Sequence, residues 1–482
     1  MTEKNGLLEL ELIVGPVVRR FQGVLDLSED APEISDEPKL PAKAYIVGAL
    51  TQFALGLHAP FLQTYLVDMQ NYLYGVKNFA ELGAFRSVGN VAPTVLQPVW
   101  GGASDKVGHR KAFVAFGTMT GLVLVYLFLW AATPLDMIVL YAIQSILFSI
   151  QIPTWLSLVG GLMGERNRGD ELGKLGLVTN IASFLATLAS GFLAGMPGIL
   201  PWLRASMGEI GPVLFPTVEV WREAFYIPFF LTAVVGITSS LLSIAIKERS
   251  QTDTKPRKFP PMHRLLSQPS DFRKFAFVAV FFSFAMSMAW PYFIVVQRDW
   301  LGASILEIAI ASAVMTASTI IFTIPFGRLS DRVGRKPLIL LGRMSLFIVP
   351  IMYAFAWAMW MVYVANFIAG FTTGASMNAI TAYIYDVAPE NERGSYIAVY
   401  NTFTGLVYTL GSLLAGVFGQ LILIAFGSEY LSVFIMLSMS GILRFVAAFF
   451  YMLIKEPKEY SSTLRLEFRA LIQRRRHDAD IV

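Results

Sequence analysis

Residues 101–111 read GGASDKVGHRK, and residues 327–337 read GRLSDRVGRKP. The strings superpose: Gly101 falls on Gly327, Asp105 on Asp331, Lys106 on Arg332 and Gly108 on Gly334, with Arg110, Lys111, Arg335 and Lys336 closing the two runs. Each is a short charged turn between two apolar stretches. A turn of this kind that returns 226 residues later in a chain of 482 indicates two related halves.

Two more pairs repeat at nearly the same spacing. ERNRG (165–169, containing Arg168) returns as ENERG (390–394, containing Arg393), 225 residues on. LHAPFLQTYLVD (57–68) aligns with MAWPYFIVVQRD (288–299), which sets Pro60 on Pro291, Phe61 on Tyr292 and Asp68 on Asp299. Parallel repeats of this sort imply a pseudo-two-fold axis along the membrane normal, with a solute site between the halves near mid-membrane.

The apolar stretches say what the halves are made of. Hydrophobic residues make up 55% of the chain and charged residues 15%, with a mean hydropathy of +0.57. Soluble domains carry about 25% charged residues. A helix needs about 20 mostly apolar residues to cross the hydrocarbon layer. Twelve stretches qualify: 45–69, 82–104, 112–132, 137–162, 172–196, 224–246, 275–296, 305–329, 338–357, 359–386, 396–426 and 431–454. They are too long for the strands of a membrane barrel. The expected fold is an all-α membrane protein with twelve transmembrane helices in two pseudo-symmetric six-helix bundles.

Charge orients the bundle. Loops on one side carry Lys106, Arg110, Lys111, Lys174, Lys247, Arg335, Lys336, Arg393 and others; the opposite loops carry only Lys77, Arg204, Arg222 and Arg298. The basic side is expected to be cytoplasmic, with both termini inside. The net charge of +4 is dispersed among these loops, not gathered on one face, so no nucleic-acid partner is expected.

Five segments follow. Residues 1–44 form a cytoplasmic segment with an acidic, proline-rich linker, preceded by a short amphipathic run that lacks the apolar core of a signal peptide. Residues 45–246 and 275–454 are the two halves, joined by the charged linker 247–274. Residues 455–482 form a basic tail in which 463–477 read as an interfacial helix against anionic lipid. The long connection 197–223 reads as a tolerated insertion in preference to a cap over the outer mouth.

Twelve spans in two halves, a long central inner loop and two copies of G-x-x-x-D-[RK]-x-G-[RH]-[RK] resemble the major facilitator superfamily of secondary transporters. The resemblance covers nearly everything between the terminal segments. Lys106 and His109 depart from the commoner arginines of that motif. The likeness implies rocker-switch alternating access, with the first and fourth helices of each half lining the path. It also implies that Asp105 latches onto the eleventh helix near Arg393 when the inner gate is shut. Asp331 would mirror this near Arg168, and Arg110 and Arg335 would pair with acids on the same face. The glycines read as sites of close approach, Gly101 and Gly108 being positions where a Cβ would obstruct.

Polar side chains within spans are costly and usually functional. Those on the expected path helices are His58 and Gln63, then Gln144 and Gln151, which are seven apart and so share a face of one helix, then Trp290, Tyr292, Asn366 and Asn378. Together they describe a chamber rich in amides and aromatic rings. No carboxylate lies near the middle of these helices, and the arginine and glycine signatures of drug–proton antiporters are missing. His58 is therefore the natural carrier if transport is coupled to protons. Arg86 is expected to form an ion pair with Asp68 or Glu81, Arg343 to snorkel to the inner surface, and Arg444 to be structural.

Enzymatic activity is not expected: the four histidines are scattered, and no HExxH, GxSxG or Walker-type string occurs. With no cysteine there is no thiol nucleophile or thiolate metal site. No catalytic, metal or cofactor site is expected. The reading is a monomeric, multi-pass cell-membrane transporter of a small organic solute, bathed in lipid. A broad drug or metabolite exporter and a non-transporting sensor stand as alternatives. A latch contact contributes about 1–3 kcal/mol of bias between states. Asp105→Asn is thus expected to reduce flux in vesicles while membrane expression persists; unchanged flux would overturn the latch.

Overall fold

The computed structural model describes residues 38–164, 168–196, 198–248 and 271–458. The N-terminal amphipathic run, the acidic linker, most of the central linker and the expected interfacial helix at 463–477 lie outside the described residues, as do the side chains of Asp105 and Arg168.

Among the described residues every regular element is helical. The long rods are α1 (Ala42–Tyr74), α2 (Phe79–Val107), α3 (Arg110–Trp130), α4 (Pro134–Leu162), α5 (Asp170–Ala194), α6 (Val220–Ile244), α7 (Asp271–Trp300), α8 (Ile305–Val333), α9 (Arg335–Ala354), α10 (Met359–Val387), α11 (Arg393–Phe426) and α12 (Glu429–Leu453). Ten of them are long and apolar enough to cross a membrane; α2, with Ser87, Asn90, Thr94 and Gln97, and α10, with Asn366, Thr372, Thr373 and Asn378, are too polar to meet that standard. Large apolar side chains stand exposed along the rods, such as Phe277 at 73%, Ile424 at 72% and Leu156 at 61%. So wide an apolar surface belongs in lipid, and the chain is an integral membrane protein.

Four rods are interrupted, each next to a proline that removes a backbone donor. α1 breaks at Ala59–Phe61 beside Pro60, and α7 at residues 288–289 just before Pro291. α4 breaks at 149–150 ahead of Pro153, and α9 at 346–347 ahead of Pro350. The break in α4 has a consequence for Gln144 and Gln151. They sit on separate segments, Pro134–Phe148 and Gln151–Leu162, so the shared face expected of one continuous helix does not apply.

Within the first half α1 packs on α5 and α6, and α3 on α6; within the second α8 packs on α10, and α7 on α11 and α12. The halves meet where α2 crosses α11 and α5 crosses α8. Small residues bring these backbones together. A Cβ added to Gly83 would fall 2.6 Å from the Ser412 carbonyl oxygen and 2.8 Å from Gly416 Cα. One added to Gly416 would fall 2.5 Å from the Phe79 carbonyl oxygen.

The two ends of the bundle differ. At the end where α1 turns into α2, one large hydrophobic cluster draws on both halves, from Phe61, Tyr65 and Phe79 to Tyr292, Val296 and Met436. At the end bearing the charged repeats, each half keeps its own cluster. Val47, Val114, Leu158 and Ile246 form one, and Phe275, Leu338, Tyr383 and Tyr451 the other. We call these the sealed end and the basic end.

The described part of the long outer connection, 198–219, is folded against its own half. Helix Ile199–Ser206 buries Leu200, and Phe215 is buried beyond it. The Tyr226 hydroxyl donates to the Leu214 carbonyl at 2.6 Å, and Arg204 Nε to the Phe215 carbonyl at 2.6 Å.

The motif glycines need correcting. A Cβ on Gly101 would meet only Pro153, at an ordinary 3.7 Å, so space is not what Gly101 provides. Gly108 has open space around it but a φ of +74°, so it is there for left-handed backbone. At Gly83 space is the whole issue. Gly83→Val is expected to lower the melting temperature of the purified protein by several degrees, as overpacking that costs about 1–3 kcal/mol would. Gly102→Ala, which meets nothing within 4 Å, should leave it unchanged.

Candidate functional site

At the sealed end the repeated aspartates each take a cation from the opposite half. Asp68 on α1 holds Arg298 of α7 in a two-pronged pair, Oδ1 to Nε at 2.7 Å and Oδ2 to Nη2 at 2.9 Å. Asp299 on α7 holds Lys77, in the α1–α2 turn, at 3.1 Å, and accepts from Asn71 Nδ2 at 2.8 Å. Lys77 Nζ also bonds Asn71 Oδ1. Arg298 is fixed a third time by the Ala303 carbonyl at 2.8 Å. Asp68 is 6% exposed and Lys77 3%. Buried pairs of this kind gain little net energy when formed, but breaking one by removing a partner costs about 3–5 kcal/mol.

Backbone groups complete the seal. The Lys77 amide donates to Glu429 and the Phe79 amide to Gln420, both at 2.8 Å. Ser87 Oγ donates to the Thr409 carbonyl at 2.8 Å. All three bonds run from the first half to the second.

Beneath the seal lies a carboxamide joint. Gln63 Nε2 donates to the Pro291 carbonyl at 2.9 Å and leans on that of Trp290 at 3.4 Å, both in the first turn after the break in α7. Gln63 Oε1 accepts from Arg86 Nε at 2.5 Å. Arg86 therefore joins neither Asp68 nor Glu81: Asp68 is taken by Arg298, and Glu81 accepts from Gln70 Nε2 at 2.8 Å. Trp290 is partly exposed and its ring lies 4.8 Å from that of Tyr408.

The remaining chamber candidates are mostly engaged with their own half. His58, 1% exposed, closes the first piece of α1 with Nδ1 donating to the Ala54 carbonyl at 2.8 Å. Tyr292 is fully buried and donates to the Ala415 carbonyl at 2.5 Å. Asn366 Nδ2 and Gln297 Nε2 both donate to the Tyr353 hydroxyl at 2.7 Å, tying α10, α7 and α9 together. Gln144 and Gln151 are buried at 5% and 7%, and Asn378 is exposed at the basic end of α10 beside Gly327.

At the basic end the second repeat folds back on its own half. Asp331 pairs with Arg335 at 2.6 Å, and Arg335 reaches Asp386 at 3.2 Å, which also takes Lys458 at 2.5 Å. Lys336 Nζ donates to the Met452 carbonyl, Lys106 and Arg332 are exposed, and Lys111 is half-buried. Arg393 donates to the Tyr385 carbonyl at 3.2 Å.

A residue pair outside the sequence expectations completes these turns. The Arg110 amide donates to Glu248 at 2.9 Å, and the Arg335 and Lys336 amides donate to Glu456 at 3.1 and 2.8 Å. Each glutamate caps the start of a third helix, where free amides and the helix dipole favour a carboxylate. The signal was present: Lys247-Glu248 and Lys455-Glu456 are one more repeated dipeptide.

The Arg343 expectation also changes. It does not reach the surface: at 7% exposed it lies 4.7 Å from the Phe282 ring centroid. Arg444, 2% exposed, donates to the Met286 and Leu346 carbonyls at 2.8 and 3.2 Å.

Set beside known proteins, this arrangement has wide company. The family model described as Major Facilitator Superfamily matches residues 44–293 and 275–477. The tetracycline resistance protein, class H, of Pasteurella multocida is 31% identical over 109 residues, 23% of this chain and 27% of that protein. The uncharacterized MFS-type transporter YfkF of Bacillus subtilis is 25% identical over 261 residues, 52% of this chain and 61% of that one. Across four of the curated relatives this chain spans only 24% to 31% of their length. A bacterial homolog of the human lysosomal transporter Spinster, solved inward-facing and occupied, superposes with a TM-score of 0.68 at 17% identity, over 86% of this chain and 97% of that one.

The crossed pairs should hold the sealed end shut. Because the chain has no cysteine, Thr64→Cys gives a single reporter at a fully buried position of α1. Maleimide labelling of that cysteine is expected to rise several-fold when Asp68→Asn is added. Equal labelling rates with and without Asp68→Asn would mean that the pair does not hold the seal.

Proposed function

The chain belongs to the Major Facilitator Superfamily, and from that membership we infer that it is a secondary active transporter of a small organic solute working by alternating access. The single observation that carries this reading is the asymmetry of the ends. Ion pairs, amide bonds and one shared hydrophobic cluster join the halves at the sealed end, while at the basic end each half packs on itself. Two bodies joined at one end and self-contained at the other have the form of a two-state device with its path open to one side.

We take the basic end to face the cytoplasm, because lysine and arginine gather there. On that orientation all twelve rods span the bilayer, both termini lie inside, and the state described is inward-open. The protein then resides in the cell membrane as a monomer. Asp105 and Asp331 would be latches waiting on the other state. The pairing of Asp331 with Arg335 inside its own half fits a latch that is not engaged.

Export of a drug-like solute is a second reading, favoured by the likeness to the tetracycline resistance protein of Pasteurella multocida. Proton coupling, in either direction of transport, would depend on His58, the titratable group nearest mid-span on the path helices.

Counterflow in proteoliposomes tests the main reading. Vesicles preloaded with a solute panel should take up the labelled cognate solute faster than empty vesicles, without ATP. A panel that gives no counterflow with correctly folded protein would sink it. Under a pH gradient, His58→Gln should abolish driven accumulation while leaving counterflow; accumulation that persists would remove His58 from the coupling.

A further inference from the structure

Three guanidinium groups lie inside the bundle without a carboxylate. Arg343 rests on the Phe282 and Tyr451 rings, at 4.7 and 5.9 Å, and Arg444 bonds only to backbone carbonyls. Arg86 makes one described hydrogen bond, through Nε to Gln63, and has the Tyr141 phenol in its neighbourhood. All acids borne by the twelve rods sit within about two turns of a helix end. The acids nearest to Arg86 in sequence, Asp68 and Glu81, are engaged elsewhere. An intramembrane cation with no counter-ion is expensive, and such residues mark solute paths.

Arg343 and Arg444 are accounted for by aromatic faces and carbonyls. Arg86 is not. It lies under the seal, two turns into α2, yet its side chain remains partly exposed. With Nε held by Gln63, the two terminal nitrogens of its planar fork are left over among the described residues, and that fork matches a carboxylate or phosphate. Gln63 reaches the Trp290 carbonyl with its other end, which ties the cation to the segment that carries the Trp290–Tyr408 ring pair, its rings 4.8 Å apart. Phe85 stacked on Tyr141 at 4.3 Å adds a second aromatic wall beside Arg86.

We propose that Arg86 binds the negative group of an organic anion whose apolar part rests on Trp290 and Tyr408, so that the solute carried is an anion. This rests on the transporter reading above. The first-half guanidinium supplies the direct contact, and Arg343 and Arg444 add positive potential from the second half.

The test uses full-length protein in a non-ionic detergent free of anionic lipid. Thermal stabilisation is measured with benzoate, phthalate, citrate and phenyl phosphate, against benzamide, glucose and choline. At least one anion should raise the melting temperature of the wild type while the neutral and cationic probes do not. Affinity for that anion should fall at least ten-fold in Arg86→Gln and be partly restored in Arg86→Lys, which keeps the charge without the fork and also controls for folding. Stabilisation by none of the anions, or undiminished stabilisation in Arg86→Gln, overturns the proposal. Phosphatidylglycerol is added in a separate arm, and stabilisation by the lipid alone overturns assignment to a soluble anion. Counterflow separates this inference from the one beneath it. Anion binding without flux would defeat the transporter reading and leave the anion site standing. Flux of a neutral solute that Arg86→Gln does not alter would do the reverse.

Discussion

Everything in this state hangs on a crossing of charge. Asp68 and Asp299 occupy equivalent places in the two halves, and each is neutralised by a cation that the other half supplies. Either half alone would present an acid with its partner missing. The pairs therefore specify the joint more than they strengthen it, since a buried ion pair gains little over an apolar contact but is costly to break. The bidentate grip of Arg298 on Asp68 adds direction, because a planar fork admits few orientations. The hydrophobic cluster around Phe61, Tyr65 and Tyr292 closes beneath a lid already placed in register.

The carboxamide of Gln63 extends that joint downward. It is neutral, so it does not compete for the ions above it, and it is bifunctional, so it serves a cation on one side and a carbonyl on the other. The carbonyls it uses, those of Trp290 and Pro291, lie in the first turn after the break in α7. The turn that follows a break in one half thus meets the other. At the opposite end the chemistry turns inward: Asp331, Arg335, Asp386 and Lys458 satisfy one another within one half. Charge that could bridge the halves is held in reserve there.

Much of this was legible in the chain itself. Repeated strings reveal the two halves, because a duplicated turn keeps its charges and glycines. Long apolar runs reveal the rods, because a bilayer sets their length. What could not be read is which partners meet across the halves. Arg86 has two acids close by in sequence and pairs with neither, since Arg298, remote in sequence, takes Asp68. Arg343 has a stem long enough to reach water and lies instead on an aromatic face. The face shared by Gln144 and Gln151 assumed a helix that Pro153 interrupts. Periodicity is a local property, and each of these outcomes was decided by contacts between distant segments. Glu248 and Glu456 are the reverse case, a legible repeat whose capping role becomes evident only once the third helices are placed.

The glycine seam between α2 and α11 has a mechanical meaning. The approach of Gly83 on α2 to Gly416 on α11 lies toward the sealed end of both rods. A lever pivoted near one tip moves little there and much at the other. From Gly83 to Val107 the rod runs on for about 36 Å, at 1.5 Å of rise per residue. A rocking of roughly 10° about Gly83 would therefore carry the basic tip about 6 Å while hardly moving the sealed one. The seam is a fulcrum, and its position gives the charged turns at the far tip most of the travel.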